Sequence, residues 1–305
     1  MRLYPTATEK YIRESGRLTT ESSRSSARAI LGPLQRAWPE QHVADFTARQ
    51  LTEFCLHGTP APNTIKARRA RIRSAWDWFQ FDGLIKTNPS SDLKYTLNPS
   101  SNTVRDGTWL TAHQIRLVLQ SCDDTLKGRR DELVVLFGML CGLRRFEIAR
   151  LRWTDFNPDL SSFKILGKGD KRASVGVPPQ LQAKLVEWRE LAPADAVAVI
   201  PAFRQSFTVV NDAGVQDNVE EVEWHHPLGI HGVHYVLEQV SARVPFKFRC
   251  HDLRRTYAGI LEEKGLDLKQ IQELMRHNNI NTTDRYLARN PNKTVKLAQM
   301  LEIDL

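Results

Sequence analysis

The 305 residues suffice for about two domains, each able to bury its own core. Lys and Arg outnumber Asp and Glu by 43 to 35, and the formal charge of +8 favours a polyanionic partner without establishing one. The longest apolar run, residues 133–143, is too short to cross a bilayer, and residues 1–8 lack the apolar core of a signal peptide, so we expect a cytoplasmic protein.

The four cysteines, Cys55, Cys122, Cys141 and Cys250, show no C-x-x-C spacing and lie in apolar or helical contexts. A disulfide framework would require regularly spaced cysteines in an extracellular chain. We therefore expect four small, buried, reduced side chains.

The first hundred residues predict helices separated by Pro and Gly, and the helix over 63–81 is the most informative of them. Asn63 is a suitable N-cap. Apolar residues recur at helical spacing and form one face. They are Ile65, Ile72, Ala75, Trp76 and Phe79.

A second face of the same helix carries Lys66, Arg69 and Arg73, and Arg68 and Arg71 add to its positive charge. Such a helix could lie along a DNA backbone or enter a groove. An ordinary amphipathic helix with a solvated basic face has the same pattern, and without other motifs it is the preferred interpretation.

A polar stretch with turn residues, Asn88-Pro-Ser-Ser and then Asn98-Pro-Ser-Ser, indicates an interdomain linker. The predicted division is a helical domain over 1–97, a linker over 98–107 and a second domain over 108–305.

The second domain is predicted to begin with a helix capped by the Thr111–Gln114 capping box. A strongly apolar helix over 131–140 follows and delivers Gly142-Leu-Arg144 at its end. Residues 162–166 and 171–177 predict two strands joined by a turn, and a helix continues from Pro178 through Trp188.

Residues 192–227 contain scattered Pro, Asn, Asp and Gly and an acidic cluster, so we expect a surface excursion with little regular structure. Four more helices are predicted after it. They cover 233–240, 253–264, 268–276 and 292–301.

Four segments of the second domain carry residues suited to phosphate chemistry. They are Cys141-Gly-Leu-Arg144-Arg-Phe-Glu147, Gly167-Lys168-Gly-Asp, His251-Asp-Leu-Arg254-Arg-Thr-Tyr-Ala, and His277 followed nine residues later by Tyr286. Arginine's planar fork can contact two nonbridging phosphate oxygens at once. In order and spacing, this set resembles the active site of the tyrosine recombinases, the phage integrase and Xer-like family.

The resemblance implies a role for each matching residue. Arg144 and Arg254 would bind the scissile phosphate together with His251 and His277, and Glu147 would steady Arg144. Lys168 would protonate the departing 5′ oxygen, with Lys171 as the alternative. Tyr286 would be the nucleophile, and it is the only tyrosine after Tyr257.

Each of these residues also has an ordinary structural interpretation when taken alone. Arg144 could simply pair with Glu147 on a helix, and Lys168 could be an exposed turn residue. Arg145 and Arg255, which adjoin the two arginines of the motifs, are expected to contact the DNA backbone or to be structural.

The sequence departs from the family pattern in two places. The family usually has glycine where Arg276 stands, and Leu287 and Ala288 follow Tyr286 in place of the commoner Tyr or Thr with a following His. We expect these departures to affect packing more than chemistry.

No cofactor is implied, and a metal site is disfavoured. His225, His226, His231 and His234 are close in sequence, but no cysteine or suitably spaced carboxylate joins them. Surface or DNA-facing histidines are the preferred interpretation.

The resemblance implies a mainly α fold with a small antiparallel β-sheet (α+β), in which a helical SAM-like core-binding domain precedes the catalytic domain. It implies cleavage and rejoining of double-stranded DNA at specific sites through a 3′-phosphotyrosine, without metal or ATP. The protein would be monomeric or weakly associated when free and would form a homotetramer on synapsed sites, with residues 292–305 packing onto a neighbour.

A phage or mobile-element integrase without an arm-binding domain is the preferred role, with an accessory directionality protein as a possible partner. Three alternatives stay open: an Xer-like resolvase, a type IB topoisomerase-like enzyme, and a catalytically idle DNA-binding regulator. The presence of all six active-site residue types argues against the last.

Overall fold

The computed structural model describes residues 3–93, 109–166, 172–210 and 216–276, except for the side chains of 172, 205–210 and 216–220. The chain divides into two compact units, Met1–Arg105 and Asp106–Leu305. The predicted linker over 98–107 lies outside the described residues, and the assignment of the first unit as a core-binding domain stays a prediction.

In residues 3–93, which the structure describes of the first unit, four α-helices surround an aromatic core. Trp76 is fully buried, and its ring centroid lies 5.5 Å from that of Tyr4 and 5.3 Å from that of Phe79. Large rings supply much apolar area for their number, so a unit of this size can bury a sufficient core. The helices are α1 (Tyr4–Glu14), α2 (Glu21–Ala37), α3 (Ala48–Leu56) and α4 (Pro62–Phe81).

Helix α4 buries the predicted apolar face, although the predicted N-cap is wrong. The helix starts at Pro62, with Ala61 as N-cap, because proline's missing N–H is one that the first turn leaves unpaired anyway. Arg68 is also not part of an open basic face. Its Nη1 donates to the carbonyls of Phe54, Cys55 and His57 and thereby caps the end of α3.

In its described residues the second unit combines helices with two small antiparallel sheets, so the predicted α+β class is confirmed. The helices are α5 (Ala112–Gln120), α6 (Leu126–Leu140), α7 (Arg145–Ile148), α8 (Pro179–Leu191), α9 (Gly229–Ala242), α10 (Cys250–Glu263) and α11 (Leu268–Leu274). The strands are β1 (Ser162–Leu166), β2 (Arg172–Gly176), β3 (Pro201–Val210) and β4 (Gln216–Pro227).

Helix α6 is the central element of this unit and is longer than predicted. It begins at Leu126, where Thr125 accepts the N–H of Gly128 as N-cap. Nearly all of its side chains from Leu133 onward are buried. At Gly138 a Cβ would come within 2.9 Å of Leu253, so the missing side chain allows α6 and α10 to approach closely.

The structure confirms the two predicted strands. Strands β1 and β2 pair antiparallel, with Phe163 opposite Val175 and Ile165 opposite Ala173. The alternation of apolar and polar residues turns Phe163 and Ile165 into the core. The turn over 167–171, with Lys168 and Lys171, lies outside the described residues.

The prediction of little regular structure over 192–227 is wrong. Strands β3 and β4 pair antiparallel over most of this segment, from Pro201 opposite Pro227 to Val210 opposite Gln216. Asn211-Asp-Ala-Gly between them is a sequence typical of a hairpin turn, and the acidic residues of β4 obscured its alternation. The end of this strand pair near Pro227 packs against α8, where the Trp224 ring centroid lies 4.9 Å from that of Trp188.

The four cysteines are free thiols. Cys55 and Cys141 are buried as expected, but Cys122 and Cys250 are only half-buried. Burial raises the pKa of the Cys141 thiol to about 12, so it is neutral and behaves as a small apolar residue. In the described part of the chain, no helix combines the length and apolar character that crossing a bilayer requires.

We expect Gly142→Ala to destabilise the second unit more than Gly265→Ala. Each glycine lies just after the end of a helix and has a left-handed backbone conformation, with φ of +56° at Gly142 and +84° at Gly265. At Gly142 a Cβ would overlap the ring of Tyr257, whereas at Gly265 it would meet nothing within 4 Å. Gly265→Ala should lower the free energy of unfolding by about 1 kcal/mol and Gly142→Ala by about 2–4 kcal/mol.

Chemical denaturation of the two variants beside the parent protein measures the difference. Equal losses would show that backbone conformation alone, and not the contact with Tyr257, determines the cost at Gly142.

Candidate active site

The end of α6 positions the first arginine of the site. Gly142 takes φ of +56°, and the Leu143 N–H donates to the Phe137 carbonyl at 3.2 Å, which closes the helix and turns the chain. Arg144 then becomes the residue that precedes α7. Its own N–H donates to Glu147 Oε2 at 2.7 Å, so Glu147 also caps this short helix.

Arg144 and Glu147 form an ion pair between the Arg144 Nη1 and the Glu147 Oε1, 2.9 Å apart. The Glu147 side chain is 1% exposed and that of Arg144 is 30% exposed. A buried carboxylate needs hydrogen-bond donors on both oxygens, and Arg144 supplies one to each. Glu147 thus fixes the orientation of a guanidinium that still reaches solvent, and its supporting role in catalysis stays a prediction.

Arg254, on α10, is 1% exposed and links two other elements. Its Nη1 donates to the carbonyl of Gly142, and its Nη2 donates to the carbonyl of Met275 just after α11. These two bonds bring the end of α6 and the end of α11 to the same guanidinium. Arg144 belongs to this cluster too, since its Nη2 lies 3.4 Å from the carbonyl of Arg276.

Arg276 is a third guanidinium of the cluster, and sequence reasoning missed its place there. Its Nη2 lies 3.2 Å from the Gly142 carbonyl and 3.5 Å from Glu147 Oε2. The signal available in the sequence was the departure from glycine at this position, which was interpreted as a packing change. The cluster therefore holds three arginines and one carboxylate.

His251 lies one helical turn before Arg254, at the start of α10, and its side chain is exposed. The pKa of His251 is lowered from its ordinary value because of partial desolvation and the positive charges of Arg254, Arg255 and Arg144. Asp252 acts in the opposite direction and raises it. The imidazole is therefore predominantly neutral near pH 7, and a neutral imidazole can accept a proton.

The structure brings Arg144, Glu147, His251 and Arg254 together. Three of the predicted catalytic residues, Lys168, His277 and Tyr286, lie outside the described residues, as does Lys171. Their roles stay predictions.

The predicted DNA-contacting residues differ in exposure. Arg145 is half-buried beside Cys250, and Arg255 Nη1 is 3.6 Å from Asp252 Oδ1. In the first unit, Arg73 is exposed on α4, and Lys66 and Arg69 are half-buried. Their contacts with DNA stay predictions.

The cluster presents an excess of two positive charges, which suits an anionic ligand such as a phosphodiester. In the part of the chain that the structure describes, no three His, Cys, Asp or Glu side chains come together as metal ligands. Two of the four histidines on β4 and α9 lie close to acidic residues. His225 lies 3.5 Å from Asp195, and His234 lies 3.3 Å from Glu238.

Comparisons with known proteins identify the family of this chain. The model of the family described as "Phage integrase family" matches residues 108–293, which contain all the proposed catalytic residues. The tyrosine recombinase XerC of Staphylococcus haemolyticus is 31% identical over 242 residues, which cover 78% of this chain and 75% of that protein.

Two solved structures share the fold. The integrase of transposon Tn1549, in complex with a circular intermediate DNA, superposes with a TM-score of 0.68 at 15% identity, covering 99% of this chain and 100% of that one. A lambda integrase tetramer bound to a Holliday junction also has a TM-score of 0.68 and 15% identity, covering 92% of this chain and 78% of that one. At this identity the likeness concerns the fold.

We expect His251 to make the free energy of unfolding increase with pH below its ordinary pKa. Its pKa in the folded state is lowered, so below about pH 6.5 the unfolded state binds more protons than the folded one. The contribution of His251 to the free energy of unfolding is therefore fully present above pH 6.5 and is lost as the pH falls below it. Urea unfolding of His251→Gln beside the parent protein, across pH 6.5, isolates it as the difference between the two.

An NMR titration of the His251 ring provides the direct check. Arg255→Gln, which removes one of the neighbouring cations, should raise the midpoint. A midpoint at or above about 6.5 in the parent protein would contradict the predicted direction.

Proposed function

The chain belongs to the phage integrase family of DNA recombinases, and on that premise we propose that Tyr286 cleaves and rejoins DNA strands at specific sites through a 3′-phosphotyrosine. The observation that carries the proposal is the convergence of Arg144 and Arg254, 110 positions apart in the sequence, on the loop that follows α6. Arg254 also joins the ends of α6 and α11 through the carbonyls of Gly142 and Met275, while Arg144 and His251 beside it reach solvent. Positive charge concentrated at such a point would stabilise a phosphate that acquires negative charge in its transition state.

The cleavage step uses each group once. The Tyr286 oxygen attacks the phosphorus and forms a new phosphoester bond, while the bond to the 5′ oxygen breaks. The phenol has a pKa near 10 in water, and neutral His251 is the group we assign to accept its proton. Lys168 donates a proton to the leaving 5′ oxygen, and Arg144 and Arg254 stabilise the charge on the nonbridging oxygens.

The reverse step completes recombination. The phosphotyrosine retains the energy of the broken bond, so the 5′ hydroxyl of another duplex can attack it and release Tyr286. Neither ATP nor a metal ion enters this scheme, because the bond energy is conserved and the guanidinium groups supply the positive charge. A mobile-element integrase acting in the cytoplasm is the role we favour.

Assembly on DNA follows the same premise. We assign double-stranded DNA to the basic side of α4 and to the arginine cluster, with four protomers on two synapsed sites. The lambda integrase tetramer on a Holliday junction supports this assignment by fold alone. Residues 292–305, with Val295, Leu297, Leu301 and Ile303 as apolar anchors, would pack onto a neighbouring protomer.

Tyr286→Phe should eliminate the covalent protein–DNA adduct while DNA affinity stays within about 2-fold of the parent value, since only the nucleophilic oxygen is removed. Denaturing gels with a nicked suicide substrate detect the adduct. Tyr235→Phe is the matched control, because Tyr235 is 58% exposed on α9, and it should retain full adduct yield. An adduct that persists in Tyr286→Phe would identify another nucleophile.

Replacing Lys66, Arg69 and Arg73 together with glutamine should weaken DNA binding and reduce its dependence on salt. Each lost phosphate contact lowers the slope of log K against log salt concentration by about 0.9. Fluorescence anisotropy over a salt series measures the slope. Arg49→Gln, which removes an exposed arginine from α3, is the control, and an equal change in both variants would exclude α4 as a specific contact.

A further inference from the structure

The backbone of Arg276 adopts a conformation that favours glycine. Helix α11 ends at Leu274, and Arg276 follows with φ of +54° while its N–H donates to the Glu273 carbonyl at 2.9 Å. A residue with a Cβ pays a conformational cost in this left-handed region, and helices usually end on glycine there. Since arginine is tolerated here, its side chain should offset that cost.

The side chain of Arg276 joins three segments. It is 14% exposed. Its Nη1 lies 3.1 Å from the Leu274 carbonyl at the end of α11. Its Nη2 lies 3.2 Å from the Gly142 carbonyl, in the loop after α6, and 3.5 Å from Glu147 Oε2, in α7. The guanidinium thus connects the end of α11 to both elements that hold Arg144.

Through these contacts Arg276 shares hydrogen-bond acceptors with both Arg144 and Arg254. Glu147 is shared, with Oε1 on Arg144 and Oε2 on Arg276. The Gly142 carbonyl is shared by Arg254 and Arg276. The backbone of the same turn contributes the Met275 carbonyl to Arg254 and the Arg276 carbonyl to Arg144. Movement of Arg276 would therefore change the surroundings of both Arg144 and Arg254.

A purely structural role does not account for the charge. Desolvation lowers the pKa of Arg276, and Arg144 lowers it further, while Glu147 acts against them. Placing a third guanidinium here is therefore opposed by burial and by repulsion, and closing the turn would need only glycine. The planar fork is what allows one group to hold a carboxylate and several carbonyls at once.

We propose that Arg276 is a positioning residue for strand cleavage, which holds Glu147 and the Gly142 carbonyl in place and through them orients Arg144 and Arg254 toward the scissile phosphate. The inference rests on the proposed recombinase function. It assigns no contact between Arg276 and DNA.

Three substitutions separate backbone conformation, charge and fork geometry. Arg276→Gly fits the left-handed backbone and removes the side chain. Arg276→Lys retains the charge without the fork, and Arg276→Ala removes the side chain while retaining a Cβ. Arg189→Ala is the matched control, because Arg189 also binds the carbonyls that follow its own helix, those of Pro193 and Ala194, at 2.9 and 3.0 Å.

The measurement is the single-turnover rate of adduct formation at saturating DNA, with DNA affinity and thermal unfolding measured in parallel. We expect all three Arg276 variants to react about 10- to 100-fold more slowly, the range for a misplaced catalytic group, with affinity within about 2-fold of the parent value. Arg276→Lys should be the least affected. Arg189→Ala should react at the parent rate.

A double-mutant cycle with Glu147→Gln tests the route of action. If Arg276 acts through Glu147, the effect of Arg276→Gly should shrink in the Glu147→Gln background. Rate losses that simply multiply, or a folded Arg276→Gly that reacts at the parent rate, would overturn the inference. An Arg276→Gly protein that loses stability but not rate would do so too, since it reveals a structural role alone.

The two hypotheses fail in distinguishable ways. A parent protein that forms no adduct on any of its bound sites refutes the proposed function and this inference with it. A parent protein that forms the adduct while Arg276→Gly matches its rate refutes this inference alone.

Discussion

The site depends on one buried carboxylate. Glu147 is almost fully removed from water, so its two oxygens must be satisfied by protein donors, and they take the backbone N–H of Arg144, the guanidinium of Arg144 and that of Arg276. This requirement fixes the start of α7 and the direction of Arg144 together. A surface carboxylate at the same spacing would leave Arg144 free to change rotamer, because exposed ion pairs contribute little.

A second constraint is the close approach of α6 and α10. Gly138 lets Leu253 pack directly against α6, and Gly142 accommodates the ring of Tyr257 one turn later. With the helices this near, Arg254 is enclosed and its guanidinium binds the Gly142 carbonyl. The same glycine thus ends α6, admits α10 and presents an acceptor, so backbone geometry and the charge cluster are parts of one arrangement.

Elements whose sequence pattern involves only neighbouring residues were predicted correctly, whereas features that depend on distant residues were missed. The Thr111 capping box, the apolar face of α4 and the β1–β2 pair depend on neighbours within a few positions, and the structure has all three. The β3–β4 hairpin was missed because the acidic residues of β4 masked its period, and its base is held by a tertiary contact between Trp188 and Trp224. Arg68 looked available for DNA, but the end of α3 and His57 just after it supply the carbonyls that bind it.

The sequence by itself determined the family, the α+β class and the identity of the residues suited to phosphate chemistry, because motif order and hydrophobic period are written in adjacent positions. Only the tertiary structure decided that Arg254 is enclosed, that Glu147 serves two arginines and that Arg276 is one of them. Burial and shared acceptors arise between residues more than a hundred positions apart, and no local pattern encodes them.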